Sequence, residues 1–402
     1  MKIGMILDTR FPPDIRVEKE IETLKRDNEI FILCPSYSDQ IDEENIINSK
    51  IFRKIKGIKR WIGQLQLMKN CYSKIWEKEV DYFVKVNKIE VIHVHDLPLL
   101  GIGVKIAKQY KIRVIADLHE NYPEMLRLSQ MKSIFKETSL GSLAVRLVVN
   151  ITKWQNFELS ILKEVDQIVV VVDEAKHRLV SMGFNPSNIS VVGNYSSINI
   201  NSYEINKNSD NCLNLIYAGY FSETRDLYTL IDAVKTLGME NYPKLRVTLV
   251  GGSGKSFKSI INYIKLNGLE ERINAFEWMS LRDAENLMLK ADIGLVPHVK
   301  SPHTDATIPH KLFQYMQRQL PVIVSNCTPL ERIVKEASCG AVYESGNSIS
   351  LAECISMFYK DPTLIKKMGA SGRAIVEEKY NWHEAGTILS NVYYKISKKG
   401  FY

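Results

Sequence analysis

The sequence predicts an α/β chain built from two doubly wound domains that face each other across a cleft. Three observations predict it. Short β-branched runs alternate with longer amphipathic stretches in both halves. An Asn- and Ser-rich break separates those halves. A length of 402 residues suits two cores of ordinary size.

In the first half the strand runs are Ile3–Leu7, Ile30–Cys34, Val91–Val94, Val114–Ala116, Ile168–Val172 and Ile189–Val192. Between them lie helical patterns such as Val17–Arg26 and Gly101–Tyr110. Strands alternating with helices of this kind imply a parallel sheet covered on both faces. The break from Gly193 to Cys212 carries little periodicity. A second series follows: Leu213–Ala218, Leu245–Val250, Ile273–Phe276, Ile293–Val296, Val322–Ser325 and Ala341–Tyr343. The expected organisation is a Rossmann-like domain over residues 1–195, a linker over 196–212, a second Rossmann-like domain over 213–379, and a helix over 380–402 packing back on the first domain. Ligands of such sheets bind outside the carboxyl ends of the strands.

Composition narrows the function. Hydrophobic residues make up 45% and charged residues 25%, which fits a folded chain and excludes disordered and fibrous classes. The six cysteines are scattered without zinc spacing, so buried thiols in a reducing compartment are expected. Met1–Leu7 meets Asp8 and Arg10 too early for a signal peptide, and no apolar run reaches spanning length. A cytoplasmic protein is the expectation. The net charge of +7 is concentrated, because residues 45–76 carry eight basic and no acidic residues before Glu77, with Trp61, Ile62, Leu65, Leu67 and Met68 interleaved. Such a segment suits the inner face of an anionic membrane, or else a solvated helix face over a core stripe. No nucleic-acid motif accompanies the charge.

Asp8-Thr9-Arg10-Phe11-Pro12-Pro13-Asp14 follows the first strand and has no glycine fingerprint, which argues against a nicotinamide or flavin enzyme. Gly251-Gly252-Ser253-Gly254-Lys255-Ser256 resembles the end of a P-loop, but Leu249 stands where its first glycine belongs. A tight strand-to-helix turn is the better reading. Alternation places His93 and His95, beside Asp96, on one face of a strand end; a metal site or polar edge residues both fit. His119 also ends a strand, where an imidazole reaches substrate. Pro309-His310-Lys311-Leu312-Phe313-Gln314-Tyr315-Met316 opens a helix. Leu312, Phe313 and Met316 turn to the core, while His310, Lys311 and Gln314 turn outward. A helix start attracts phosphate, and Lys311 adds a full charge there. Arg225 follows the first strand of the second half and suits bidentate pairing with phosphate.

On these residues the chain resembles the retaining glycosyltransferases of family 4, which share the two-domain fold called GT-B. The resemblance runs through Gly219–Ala233, Val250-Gly251-Gly252, Ala291–Pro297, Pro309–Met316 with Pro321-Val322-Ile323, and in the first half through Asp14–Val17, Ile92–Asp96 and Asp117-Leu118-His119. It implies a nucleotide-sugar donor and a glycan or lipid-linked acceptor, without a cofactor or bound metal. It implies donor contacts at Gly219, Arg225, Gly251, Trp278, Thr307, His310, Lys311, Gln314 and Glu331, catalytic roles for His119, Arg225 and Lys311, and acceptor-side roles for Asp8, Arg16, His95 and Asp96. The family's paired glutamates fall on Ala306 and Gln314 in this chain. Gln314 still accepts through its amide oxygen. Tyr220 stands where the family often has Arg, which leaves the second charge to Lys311. Gln319 stands where Gly is common.

The expected chemistry breaks the sugar–phosphate bond through an oxocarbenium-like transition state, and the cations stabilise the departing pyrophosphate. Asp-x-Asp is absent from the chain, so the counter-charge is assigned to side chains. Two other readings share this shape: a nucleotide-sugar epimerase and a non-catalytic nucleotide-sugar-binding subunit.

Overall fold

A computed structural model of the chain describes residues 1–35, 50–53, 57–132, 149–198, 212–238 and 240–398. These residues form two compact units. One comprises Met1–Gly193 with the C-terminal stretch from Ala385 onward; the other is Asn194–Glu384.

The first unit is organised on a seven-stranded parallel sheet ordered β3-β2-β1-β4-β5-β6-β7. Its strands are β1 (Lys2–Ile6), β2 (Glu29–Cys34), β3 (Lys50–Arg53), β4 (Val91–His95), β5 (Arg113–Leu118), β6 (Gln167–Val170) and β7 (Ile189–Val191). Parallel strands covered on both faces read as unbroken apolar runs, and Ile3, Met5, Val91, Ile92, Ile115 and Val169 are all completely buried. Sequence reasoning did not mark β3. It is an edge strand in which Lys50 and Arg53 flank only two apolar residues, so neither a run nor an alternation emerges. The helix Ile15–Leu24 starts where the Asp14 carboxylate accepts from the amides of Arg16 and Val17, at 3.0 and 3.2 Å. That cap fixes the side on which Arg16 and Glu20, one turn apart, meet the sheet.

The second unit carries a six-stranded parallel sheet ordered β10-β9-β8-β11-β12-β13. Its strands are β8 (Leu213–Ala218), β9 (Leu245–Gly252), β10 (Ile273–Glu277), β11 (Ile293–Val296), β12 (Val322–Ser325) and β13 (Gly340–Tyr343). Strand order reverses between β8 and β11, and their carboxyl ends define the switch point of this sheet.

The expected linker, 196–212, is described only at its two ends. Its first residues are tied down within the second unit. Gln317 Nε2 donates to Ser197 O at 2.7 Å, the Trp382 amide donates to Ser196 O at 3.0 Å, and Tyr195 packs on Phe313 and Tyr380. In the basic segment, residues 45–49 and 54–56 lie outside the described residues. The helix Gly57–Asn70 leaves Trp61 63% exposed and buries Leu67. Among the described residues no helix is long and apolar enough to cross a membrane.

Candidate active site

In the second unit the site is assembled at the carboxyl ends of β8, β9 and β11. The helix His310–Gln317 packs tightly on β11. A Cβ built on Gly294 would lie 2.3 Å from the Tyr315 ring, so only glycine admits this helix. The Tyr315 hydroxyl then accepts the Ala218 amide at 2.9 Å, capping the end of β8. Lys311 is one turn earlier on the same face. Its ammonium therefore lands over the Tyr217 ring, 3.9 Å from the centroid. It also fills the space above Gly219, where a Cβ would meet Nζ at 2.2 Å. Gly219 and Gly251 touch in turn: a Cβ on Gly251, whose φ is +111°, would sit 2.4 Å from Gly219 O.

Arg225 ends a short 3-10 turn, Glu223–Arg225, just past β8. Its Nη1 reaches the ring nitrogens of His298 at 3.1 and 2.5 Å. His298 follows β11 and is buried. Burial first, and then Arg225 and Lys311, hold it well below the ordinary histidine value, so it is neutral and accepts from the guanidinium. Burial and the neighbouring Arg225 likewise push the Lys311 ammonium well below the usual lysine value. Among the described residues neither cation forms an ion pair with a carboxylate. Two adjacent cations without a counter-ion, beside a sheet's carboxyl edge, make a place for a dianion.

Pro309 is the residue before the helix rather than its first turn, with ψ of 139°, and no side chain caps that end. Thr307 is extended and half-buried; His310 and Gln314, on the helix, are half-buried too. Ala306 is buried, and the adjacent Asp305 carboxylate is engaged at the start of the helix Thr328–Ala337, accepting from the Thr328 amide at 2.7 Å. Glu331 is ion-paired with Lys335 at 2.6 Å. Trp278 follows β10, is 70% exposed, and is held by its amide to Gly252 O at 2.9 Å. Tyr220 is also exposed.

In the first unit the structure corrects two expectations. Arg16 and His95 were expected to face an acceptor, yet both are buried. The Arg16 guanidinium donates to Asp117 Oδ1 at 2.9 Å and to Val192 O at 2.7 Å, and lies 2.9 Å from Glu20 Oε1. His95 stacks on His93, with centroids 4.5 Å apart. His93 is pinned on its other side by the Tyr393 hydroxyl, 2.6 Å from Nδ1. Their burial follows from the partnership: a buried cation is tolerated when carboxylates and carbonyls enclose it. Asp8 and Asp96 remain partly exposed.

Glu20, His93, His95 and Asp117 bring metal-ligand atoms within 4.8 Å of one another. The cluster already contains its cation, because Arg16 spans both carboxylates. It is therefore read as an internally neutralised network. His119 stands at its outer edge, with Nε2 3.1 Å from Asp117 Oδ2 and its amide donating to Asp96 Oδ1 at 2.9 Å.

Comparison with known proteins agrees with this architecture. Residues 21–195 match the family model described as Glycosyltransferase Family 4, and residues 201–375 match the one described as Glycosyl transferases group 1. The chain belongs to the GT-B glycosyltransferases, in family 4. A phosphatidyl-myo-inositol mannosyltransferase of Mycobacterium leprae is 20% identical, over all of this chain and 98% of that one. Among solved structures, sucrose-phosphate synthase of Thermosynechococcus elongatus superposes with a TM-score of 0.77 at 15% identity, covering 99% of this chain and 100% of that one. Anabaena HepE in complex with UDP-glucose gives 0.70 at 16% identity, with the same coverage.

Proposed function

We propose that this glycosyltransferase takes its sugar from a nucleotide-diphosphate sugar, binds the diphosphate between Arg225 and Lys311, and transfers with retention of configuration. The observation that carries this reading is the pair of adjacent basic side chains, Arg225 and Lys311, without a carboxylate partner among the described residues. Anabaena HepE, which is similar in fold, has been solved with UDP and UDP-glucose. As the glycosidic bond lengthens, charge accumulates on the leaving phosphate. Arg225, Lys311 and the uncapped start of the helix at His310 meet it without reorganising. A leaving phosphate oxygen takes the acceptor proton on the same face of the sugar. The counter-charge is assigned to side chains rather than to a divalent ion. Gln314 accepts from a hydroxyl of the donor, and the acceptor is a glycan or a lipid-linked saccharide of surface polysaccharide or glycolipid assembly.

The test uses the depressed basicity of Lys311. A bound diphosphate favours the ammonium, so binding takes up a proton wherever free Lys311 is neutral. Affinity for UDP, GDP or ADP, whichever binds best, falls as pH rises through the free-protein pKa of Lys311. Calorimetric titrations at pH 6.5 and 9.5 measure it. Lys311→Met removes most of that pH dependence. Absence of binding by any of the three, or affinity that rises with pH, rejects the assignment. Incubating the sugar donor without acceptor separates transfer from epimerisation.

Association with an anionic membrane rests on the exposed Trp61 within the basic segment. Vesicles containing phosphatidylglycerol should sediment the protein at low salt and release it at high salt, and Trp61→Ala should weaken capture. Equal recovery in the supernatant with and without vesicles removes the membrane contact.

A further inference from the structure

Glu20 and Asp117 are both completely buried, and their carboxyl groups lie within hydrogen-bonding reach of each other. Two ionised carboxylates in such contact repel strongly in a dry interior. One guanidinium stands between them. Arg16 Nε is 2.9 Å from Glu20 Oε1, yet Nε carries a single hydrogen, and that hydrogen is directed at Asp117 Oδ2, 3.3 Å away. Arg16 Nη2 also donates to Asp117, and Nη1 donates to Val192 O. Among the described residues no hydrogen bond reaches either oxygen of Glu20. A buried carboxylate without a donor is costly; the neutral acid is not, because its O–H finds an acceptor in Asp117. We propose that Glu20 is held as the un-ionised acid, donates a hydrogen bond to Asp117, and is thereby a positioning residue for His119.

The groups that face Glu20 from each neighbouring element agree with that state. Arg16 stands on its own helix, Ile15–Leu24. Asp117 and His119 come from β5 and the turn after it, and His93 and His95 from β4. His95 Nδ1 is 3.9 Å from Glu20 Oε2, but burial and His93 hold His95 down at about 3, so it is neutral and brings no charge. Tyr393, from the C-terminal stretch of the first unit, is kept un-ionised by burial and by the two acids. Its hydroxyl donates to His93 Nδ1, 2.6 Å away, which leaves the Nε2–H on the side of Asp117 Oδ2, at 3.4 Å. Burial works against the charge of Asp117, but Arg16 and His119 outweigh it and hold that carboxyl well below its usual range. Burial first, and then Asp117, raise Glu20 well above the ordinary glutamate value. Burial would make His119 less basic; Asp96 and Asp117 bring it up to about 10. The charges then balance. Arg16 and His119 match Asp117 and Asp96, whereas an ionised Glu20 would leave one negative charge in excess. With the Glu20 hydrogen on one side and Arg16 on the other, the Asp117 carboxylate is held in one orientation, with Oδ2 3.1 Å from His119 Nε2. That His119 takes part in transfer rests on the transferase reading; the proton on Glu20 does not.

The proton is read by infrared spectroscopy of the full chain at pH 6.5, where an un-ionised carboxyl group absorbs apart from carboxylates. Wild type should show such a band, which moves on ¹³C labelling of glutamate side chains and is missing from Glu20→Gln. Its absence overturns the proposal. Folding supplies a second readout. A glutamate whose pKa is raised by folding contributes stability that is complete below the ordinary glutamate value and lost as pH rises through the folded value. Gln carries a donor in the same place with no proton to lose. Amide exchange in β4 and β5, compared at each pH from 5 to 9, should therefore show wild type losing protection relative to Glu20→Gln as pH rises. Lower protection of Glu20→Gln at every pH would mean that Arg16 needs an ionised partner, and overturns the proposal. Transfer is the third readout. Glu20→Leu, which has no donor, should slow transfer about tenfold or more, and Glu20→Gln should restore most of the rate. Full activity of Glu20→Leu rejects the positioning role. A wild-type chain that transfers no sugar sinks the transferase reading instead, while the infrared band still decides the proton.

Discussion

Arg225→Ala and Lys311→Ala should each slow sugar transfer by about 10²- to 10³-fold, the usual effect of deleting one donor aimed at charge that develops in a transition state. The loss should fall on kcat as well as on kcat/KM, because leaving-group charge is greatest after binding. The double variant should lose less than the product of the two, since the cations lie against one shared network through Tyr217 and His298. The assay is run in EDTA, so that transfer depends on the side-chain cations alone. Near-normal turnover in both single variants would remove them from the site. Lys311→Ala should not harm folding, because it takes away an ammonium that burial and Arg225 already disfavour. Loss of stability would point to its contact with the Tyr217 ring instead.

Gly251→Ala should be strongly damaging to the second unit, costing about 3 kcal/mol or more. Two effects combine there. The left-handed backbone disfavours any Cβ, and the added carbon would sit 2.4 Å from the backbone oxygen of Gly219. Gly268→Ala separates them. It has φ of +63° but nothing within 4 Å of an added Cβ, so it pays for conformation only, about 1 kcal/mol. Hydrogen exchange in β8 and β9 measures both on the unit concerned. If the two variants open β8 and β9 equally, close approach of the two glycines is not what holds this edge together. Displacing Gly219 also moves Lys311, so donor affinity should fall with stability in Gly251→Ala and not in Gly268→Ala.

Apart from the edge strand β3, the strands of both units were legible because parallel strands buried on two faces are written as continuous apolar runs. The placement of Lys311 was legible for a related reason. An amphipathic helix with Leu312, Phe313 and Met316 inward leaves residue 311 on the flank. His298 was not legible. It is a single histidine after a strand, and its meaning comes from Arg225, 73 positions earlier. Glu20 was hidden too. Arg16 and Glu20 stand one turn apart, a spacing that exposed ion pairs share, and only the sheet reveals that Asp117 closes over them. Gln319 shows the converse. It occupies a left-handed position, φ +56°, which explains on this chain's own geometry why glycine would suit that place.

The hydroxyl that Tyr393 offers to His93 spans 300 residues of sequence. During synthesis the first strands leave the ribosome with that histidine still lacking its companion, and 300 further residues must emerge before the contact can close. Whatever order the first unit attains before Tyr393 emerges is attained without this contact.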